Sequence, residues 1–167
     1  MERVRVEGMA AMVSLVSRDK GSPGRFDPFR LARERGIVEG SVDPHRFSRT
    51  ADLLSEAPAS LAWRIEGSAD ASGRPALGIE LKGAVTLTCQ RCLADFRWPI
   101  DQRTEVLLAH DEREMAALDA NSRSEVVQAP GPVDPLTLVE DELVLALPFA
   151  PRHPDGACES TITTRRA

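Results

Sequence analysis

The chain has 167 residues, a length that suits one domain and that can bury enough apolar surface to fold without a metal or a disulfide. Aromatic residues make up only 4% of the sequence, so we expect a mainly aliphatic core. The formal net charge of −5 excludes the overall basic character of a strong nucleic-acid-binding domain, although local arginine clusters can still contact phosphates. No apolar run approaches the about 20 residues that span a bilayer, and the N-terminus lacks a signal-peptide pattern, so we expect a cytoplasmic protein.

The first third of the chain is predicted to pack on a sheet without forming a domain of its own. Residues 1–25 are predicted to be an N-terminal extension with one short strand, interrupted by the turn-rich segment 18–24. Within residues 26–57 a strand is expected over 36–42, and the pair Leu53-Leu54 closes a short helix or turn.

The central third alternates apolar and polar residues with a period of two, which is typical of half-buried strands. One strand is expected around Leu61–Gly67, a turn at 71–75, a second strand through Leu77 to Cys89, and a third from Phe96 to Leu108. Cys89-Gln90-Arg91-Cys92 therefore forms the turn between two long strands of an antiparallel meander.

A helix is predicted near the C-terminus. Residues 110–119 are compatible with a helix, and residues 121–132 are predicted to be a polar loop. Asp134-Pro135 then provides an N-cap followed by proline at the first helical position, and Pro148 ends the helix. Apolar residues recur at helical spacing between them: Leu136, Val139, Leu143, Ala146 and Leu147. The predicted fold class is α+β, an antiparallel meander with this amphipathic helix packed on it, followed by a loose tail over 159–167.

The cysteines suggest a metal site. Cys89 and Cys92 lie two residues apart in a turn, and His153 with Cys158 can complete a tetrahedral zinc site of the three-cysteine, one-histidine type. Two alternatives stay open. The cysteines can be small buried hydrophobes, or the Cys-x-x-Cys pair can be redox-active, although strands on both sides are not the usual setting for such a thiolate.

Other polar residues are weaker candidates for a functional site. Arg91 and Arg97, beside Phe96 and Trp98, form a basic and aromatic patch that can contact RNA, or the aromatic residues point inward and the arginines cover them. The acidic run Glu140-Asp141-Glu142 is interpreted as a solvated helix face. His45 and His110 are interpreted as surface histidines without a partner carboxylate or nucleophile at a recognisable spacing. With no phosphate loop, dinucleotide motif or catalytic triad, we expect no enzyme activity and no small-molecule substrate.

These motifs together resemble a known family. Leu87–Leu93 with Phe96, then Val139–Pro148, then His153 and Cys158, are similar to the YceD family of large ribosomal RNA subunit accumulation proteins, over roughly residues 26–158 as a single domain. Some relatives carry a second Cys-x-x-Cys after the helix, where this chain has His153 and Cys158.

The resemblance implies a non-enzymatic ribosome biogenesis factor that supports synthesis, processing or stability of 23S rRNA. The partner implied is the large-subunit rRNA precursor or an assembly protein, with no role for a membrane. Two other classes remain: a zinc-ribbon-like protein-interaction module unrelated to rRNA, and a thiol oxidoreductase.

Overall fold

One six-stranded sheet organises the fold in a computed structural model that describes residues 14–16, 24–121, 124–154 and 156–158. The strands lie across the sheet in chain order: β1 (Ser14–Val16), β2 (Ile37–Val42), β3 (Ser60–Ala69), β4 (Pro75–Thr88), β5 (Asp95–Ala109) and β6 (Glu125–Gln128). The helices are α1 (Pro28–Glu34), α2 (Glu112–Asn121) and α3 (Pro135–Ala146), with short 3₁₀ turns at Pro44–Arg46 and Ala51–Leu53. Over the described ranges, no helix combines the length and the apolar character that crossing a membrane requires.

The centre of the sheet, from β2 to β5, is an antiparallel meander as predicted. Alternate residues face the core in register, with Trp63 opposite Leu81 and Ile65 opposite Ile79, all nearly or fully buried. Their polar neighbours lie on the other face, where Arg64 Nη1 donates to Glu39 Oε2 at 3.0 Å. The α+β class is confirmed, because one face of an antiparallel sheet can stay in water while helices cover the other.

Both edges of the sheet differ from a pure meander. β1 pairs in parallel with β2, and β6 pairs in parallel with β5. The prediction of a loop over 121–132 is therefore wrong in part, since Glu125–Gln128 forms a strand. A strand of four residues is too short to show a clear alternation of apolar and polar side chains in the sequence. It is stabilised by its pairing with β5. The strand expected in residues 1–25 is present as β1, whereas the tail 159–167 lies outside the described residues.

Two helices cover the same face of the sheet. α1 was not predicted, although Asp27-Pro28 repeats the cap signal that identified α3, and the Asp27 side chain accepts a hydrogen bond from the Arg30 N–H at 3.0 Å. α1 packs so closely on β3 that a Cβ at Gly67 would lie 2.0 Å from the Leu31 carbonyl oxygen. α3 covers β4 and β5, and the indole N–H of Trp98 donates to the Ala146 carbonyl at 3.2 Å.

The inner stripe of α3 holds a charged residue. Val139 and Leu143 are fully buried, as predicted, but Glu142 is only 3% exposed and accepts a hydrogen bond of 2.7 Å from the Thr104 hydroxyl. The interpretation of the acidic run as a solvated face is thus wrong for Glu142, while Asp141 remains half-exposed and pairs with Arg49. Burial raises the pKa of the Glu142 carboxyl, despite the opposing hydrogen bond from Thr104.

Candidate metal centre

The first half of the site is the turn between β4 and β5. The Cys89 N–H donates to the Ala94 carbonyl at 3.0 Å, and the Leu93 N–H donates to the Cys89 carbonyl at 2.9 Å. Leu93 adopts φ 62°, a left-handed conformation that reverses the chain direction within the turn. Cys89 is fully buried and Cys92 is half-buried, so both cysteines sit at the inner side of the turn that leads into β5.

The second half of the site is the segment that follows α3. Pro148 follows the C-terminal end of the helix, and the Pro151 carbonyl accepts a hydrogen bond of 2.9 Å from the Gln90 N–H. This bond holds the segment against the cysteine turn. His153 packs on Phe96, with ring centroids 4.8 Å apart. A turn closed by the Ala157 N–H and the Pro154 carbonyl then brings Cys158 back to the cluster.

The four predicted ligands meet at one point, because the ligand atoms of Cys89, Cys92, His153 and Cys158 all lie within 4.8 Å of one another. Cys89 Sγ and Cys158 Sγ are 3.6 Å apart. His153 Nδ1 lies 3.4 Å from Cys92 Sγ and 3.6 Å from Cys158 Sγ.

The three distances of 3.4–3.6 Å are close to the edges of a coordination tetrahedron. With zinc–sulfur and zinc–nitrogen bonds of about 2.3 and 2.05 Å, a regular tetrahedron has edges of about 3.8 Å between sulfurs and about 3.6 Å between sulfur and nitrogen. The donor set is one that zinc prefers, so the cluster could hold a metal ion.

The charge state of Cys89 suits a metal ligand. Burial by itself raises the pKa of this thiol, but the backbone N–H groups of Cys92, His153 and Arg91 point at its sulfur and lower the pKa to about 5. The lowered pKa favours the thiolate, which is the form of cysteine that binds a metal ion. The Ala94 N–H lowers the pKa of Cys92, yet burial and the neighbouring sulfurs of Cys158 and Cys89 outweigh it, and the net shift is upward. Crowded thiols of this kind need a positive charge among them before all can ionise.

The two arginines predicted to contact RNA have different surroundings. Arg91 is exposed, and its Nε donates to Cys158 Sγ at 3.0 Å, so this side chain belongs to the cysteine cluster. Arg97 is exposed on β5, while its neighbours Phe96 and Trp98 are half-buried and pack against the core. The inward orientation considered for the two aromatic residues is the one observed. RNA contact by either arginine stays a prediction.

The interpretation of His45 as a histidine without a partner carboxylate is wrong, whereas His110 is exposed, as predicted. His45 Nδ1 lies 2.8 Å from Asp43 Oδ1, and Nε2 lies 2.9 Å from the Ser55 carbonyl oxygen. The bond to Ser55, then the bond to Asp43, raises the pKa of His45. His110 stacks on Phe29 with ring centroids 3.7 Å apart. The short spacing of Asp43-Pro44-His45 could have predicted the contact between Asp43 and His45. The stacking of His110 on Phe29 joins distant parts of the chain and leaves no such local pattern.

A known protein family matches the part of the chain that contains the cysteine cluster. The family described as "Large ribosomal RNA subunit accumulation protein YceD" matches residues 77–165, which is more than half of the chain and includes all four ligand residues. No solved structure matches this chain. The match begins at residue 77, so a single domain that starts at residue 26 stays a prediction. From the cysteine turn to the segment beyond α3, the resemblance seen in the sequence is confirmed, and the chain belongs to the YceD family.

Proposed function

We propose that the protein is a non-enzymatic, cytoplasmic ribosome biogenesis factor that supports the accumulation of 23S rRNA. The observation that carries this proposal is the family match over residues 77–165, because the family name links its members to large-subunit ribosomal RNA. The matched region contains most of β4, all of β5 and α3, and the cysteine cluster, so the family match and the candidate metal centre lie in the same part of the fold.

We further propose that Cys89, Cys92, His153 and Cys158 bind one zinc ion in a closed, structural site. The approach of the four ligand atoms to within 4.8 Å of one another and the lowered pKa of Cys89 support it. Four protein ligands leave no open position for a substrate, so the ion would crosslink the β4–β5 turn to the segment after α3. Such a crosslink stabilises a surface for a partner and supplies no chemistry of its own.

Metal content tests the second proposal directly. Protein purified under reducing conditions without added metal should carry about one zinc per chain by elemental analysis, and Cys89→Ser should lower that content sharply. Absence of metal together with three unreactive thiols in the wild-type protein would show that the cysteines are only buried hydrophobes.

The ratio of 23S to 16S rRNA tests the first proposal. Deletion of the gene from its source organism should lower this ratio, and the wild-type gene should restore it. Unchanged rRNA in the deletion strain would refute the role in rRNA accumulation, whatever the metal content of the protein.

A charge reversal tests whether RNA is contacted directly. Arg91 is a poor choice for this purpose, because its contact with Cys158 means that a substitution also perturbs the cluster. Arg97→Glu isolates the RNA contact, with Arg113→Glu on α2 as a matched exposed control. If Arg97 binds phosphate, Arg97→Glu should fail to restore the ratio while Arg113→Glu restores it, since each lost phosphate contact weakens binding. Full rescue by both variants would exclude Arg97 as an RNA contact.

A further inference from the structure

An apolar groove of about 560 Å³ lies beside the cysteine turn. Its walls come from the 3₁₀ turn at 51–53, from the end of β4, and from α3 with the segment after it: Asp52, Leu53, Leu54, Leu87, Thr88, Gln90, Val144, Leu147, Pro148, Phe149 and Pro151. Phe149 is fully exposed at its rim, Leu53 is 53% exposed and Val144 is 39% exposed. Among the described residues, three of the five large apolar side chains with high exposure line this one groove. Apolar exposure concentrated in this way is typical of a protein-interaction site.

The backbone around the groove has no free strand edge for an added strand. On one side β4 pairs with β5 up to Thr88. On the other side Leu54 bridges Leu87, and the Ser55 N–H donates to the Thr86 carbonyl at 2.8 Å. An extended peptide therefore cannot extend the sheet here, and recognition must use side chains that enter the groove. A helix with an apolar stripe meets that requirement.

The charge of the groove lining indicates the charge of its partner. Its lining contains no lysine or arginine, and its one charged residue is Asp52. Within the part of the chain that the structure describes, Asp52 forms no ion pair. The chain as a whole carries −5. A phosphate backbone would be repelled by this lining, whereas a lysine or arginine beside an apolar anchor would complement it.

We infer that this groove binds a basic amphipathic helix of a partner protein, with apolar side chains of the helix inserted between Leu53 and Phe149 and a cation next to Asp52. The inference deepens the proposed function by naming the chemistry of a protein partner. Its test needs neither rRNA nor a particular metal, so peptide binding and the rRNA phenotype can fail independently.

The test uses purified full-length protein and a display library of 16-residue helical peptides randomised at one face. Enriched peptides should carry apolar residues at i, i+3 or i+4, and i+7, together with lysine or arginine. Binding of an enriched, fluorescently labelled peptide is then measured by anisotropy. Phe149→Asp and Leu53→Asp should each weaken it at least tenfold, since both side chains are exposed and neither supports the core. Asp52→Asn should weaken basic peptides and leave neutral ones unchanged.

Leu145→Asp is the matched control, because Leu145 is 60% exposed on α3 yet does not line the groove. Its affinity should stay within twofold of the wild type. Enrichment of acidic peptides, or binding that Phe149→Asp does not weaken, would overturn the inference. Competition by a 12-nucleotide single-stranded RNA would also overturn it, because RNA would then occupy the groove. Self-association in sedimentation velocity that Phe149→Asp abolishes would overturn it as well, because a second copy of the chain would then occupy the groove.

Discussion

If the proposed zinc ion is bound, its removal should release the segment Pro151–Cys158 while the sheet stays folded. Ordering the backbone of about eight residues costs on the order of 8–16 kcal/mol. Among the described residues of this segment, the contacts outside the ligand cluster are the bond from the Gln90 N–H to the Pro151 carbonyl and the packing of His153 on Phe96. Together these contribute about 2 kcal/mol. Zinc binding to a structural site contributes on the order of 10 kcal/mol, so the proposed ion would decide whether the segment is ordered.

Limited trypsin digestion measures this release, because Arg152 lies exposed within the segment. Cleavage after Arg152 should be slow in the zinc-loaded protein. It should become at least tenfold faster after treatment with a chelator under reducing conditions, and equally fast in Cys158→Ala without a chelator. Cleavage after Arg103, which lies inside β5, should stay slow in all three samples and serves as the internal control. Equal, slow cleavage after Arg152 in loaded and metal-free protein would refute the reasoning.

Three further predictions concern single side chains. Arg91→Gln should speed zinc transfer to a colorimetric chelator severalfold, with Arg97→Gln as the control, because three thiolates and one zinc leave about one net negative charge that the Arg91 guanidinium offsets. Burial raises the folded-state pKa of Glu142 above its ordinary value of 4.5, so its charged form opposes folding increasingly as the pH rises through the folded-state pKa. Urea unfolding should therefore show that the free energy of unfolding of the wild type falls relative to that of Glu142→Gln between pH 4.5 and pH 7. A difference between the two proteins that does not change with pH would contradict this. Gly67→Ala should destabilise the protein by about 2–3 kcal/mol, because its Cβ would lie 2.0 Å from a backbone oxygen of α1, whereas Gly78→Ala, with its nearest contact at 3.9 Å, should melt within about 2 °C of the wild type.

Local patterns in the sequence predicted the elements that position the site. Period-two alternation identified β3, β4 and β5, and the Asp134-Pro135 cap identified α3. Each is a signal contained within a few neighbouring residues, and each determines one element without knowledge of the rest of the chain. The four ligands were also predicted from residue type and spacing, since few other groups in this sequence can bind a soft metal.

Tertiary structure decided what depends on residues far apart in the chain. The burial of Glu142 follows from its position against Thr104 on β5, and the parallel pairing of β6 follows from the path of the chain over α2. The contact of Arg91 with Cys158 and the groove between Leu53 and Phe149 join segments that lie far apart in the sequence. Periodicity shows which residues of an element share a face, but it carries no information on which distant element packs against that face. For this reason the ligands of the candidate site could be predicted from the sequence. The contact of Arg91 with Cys158 and the adjacent docking groove could be found only in the tertiary structure.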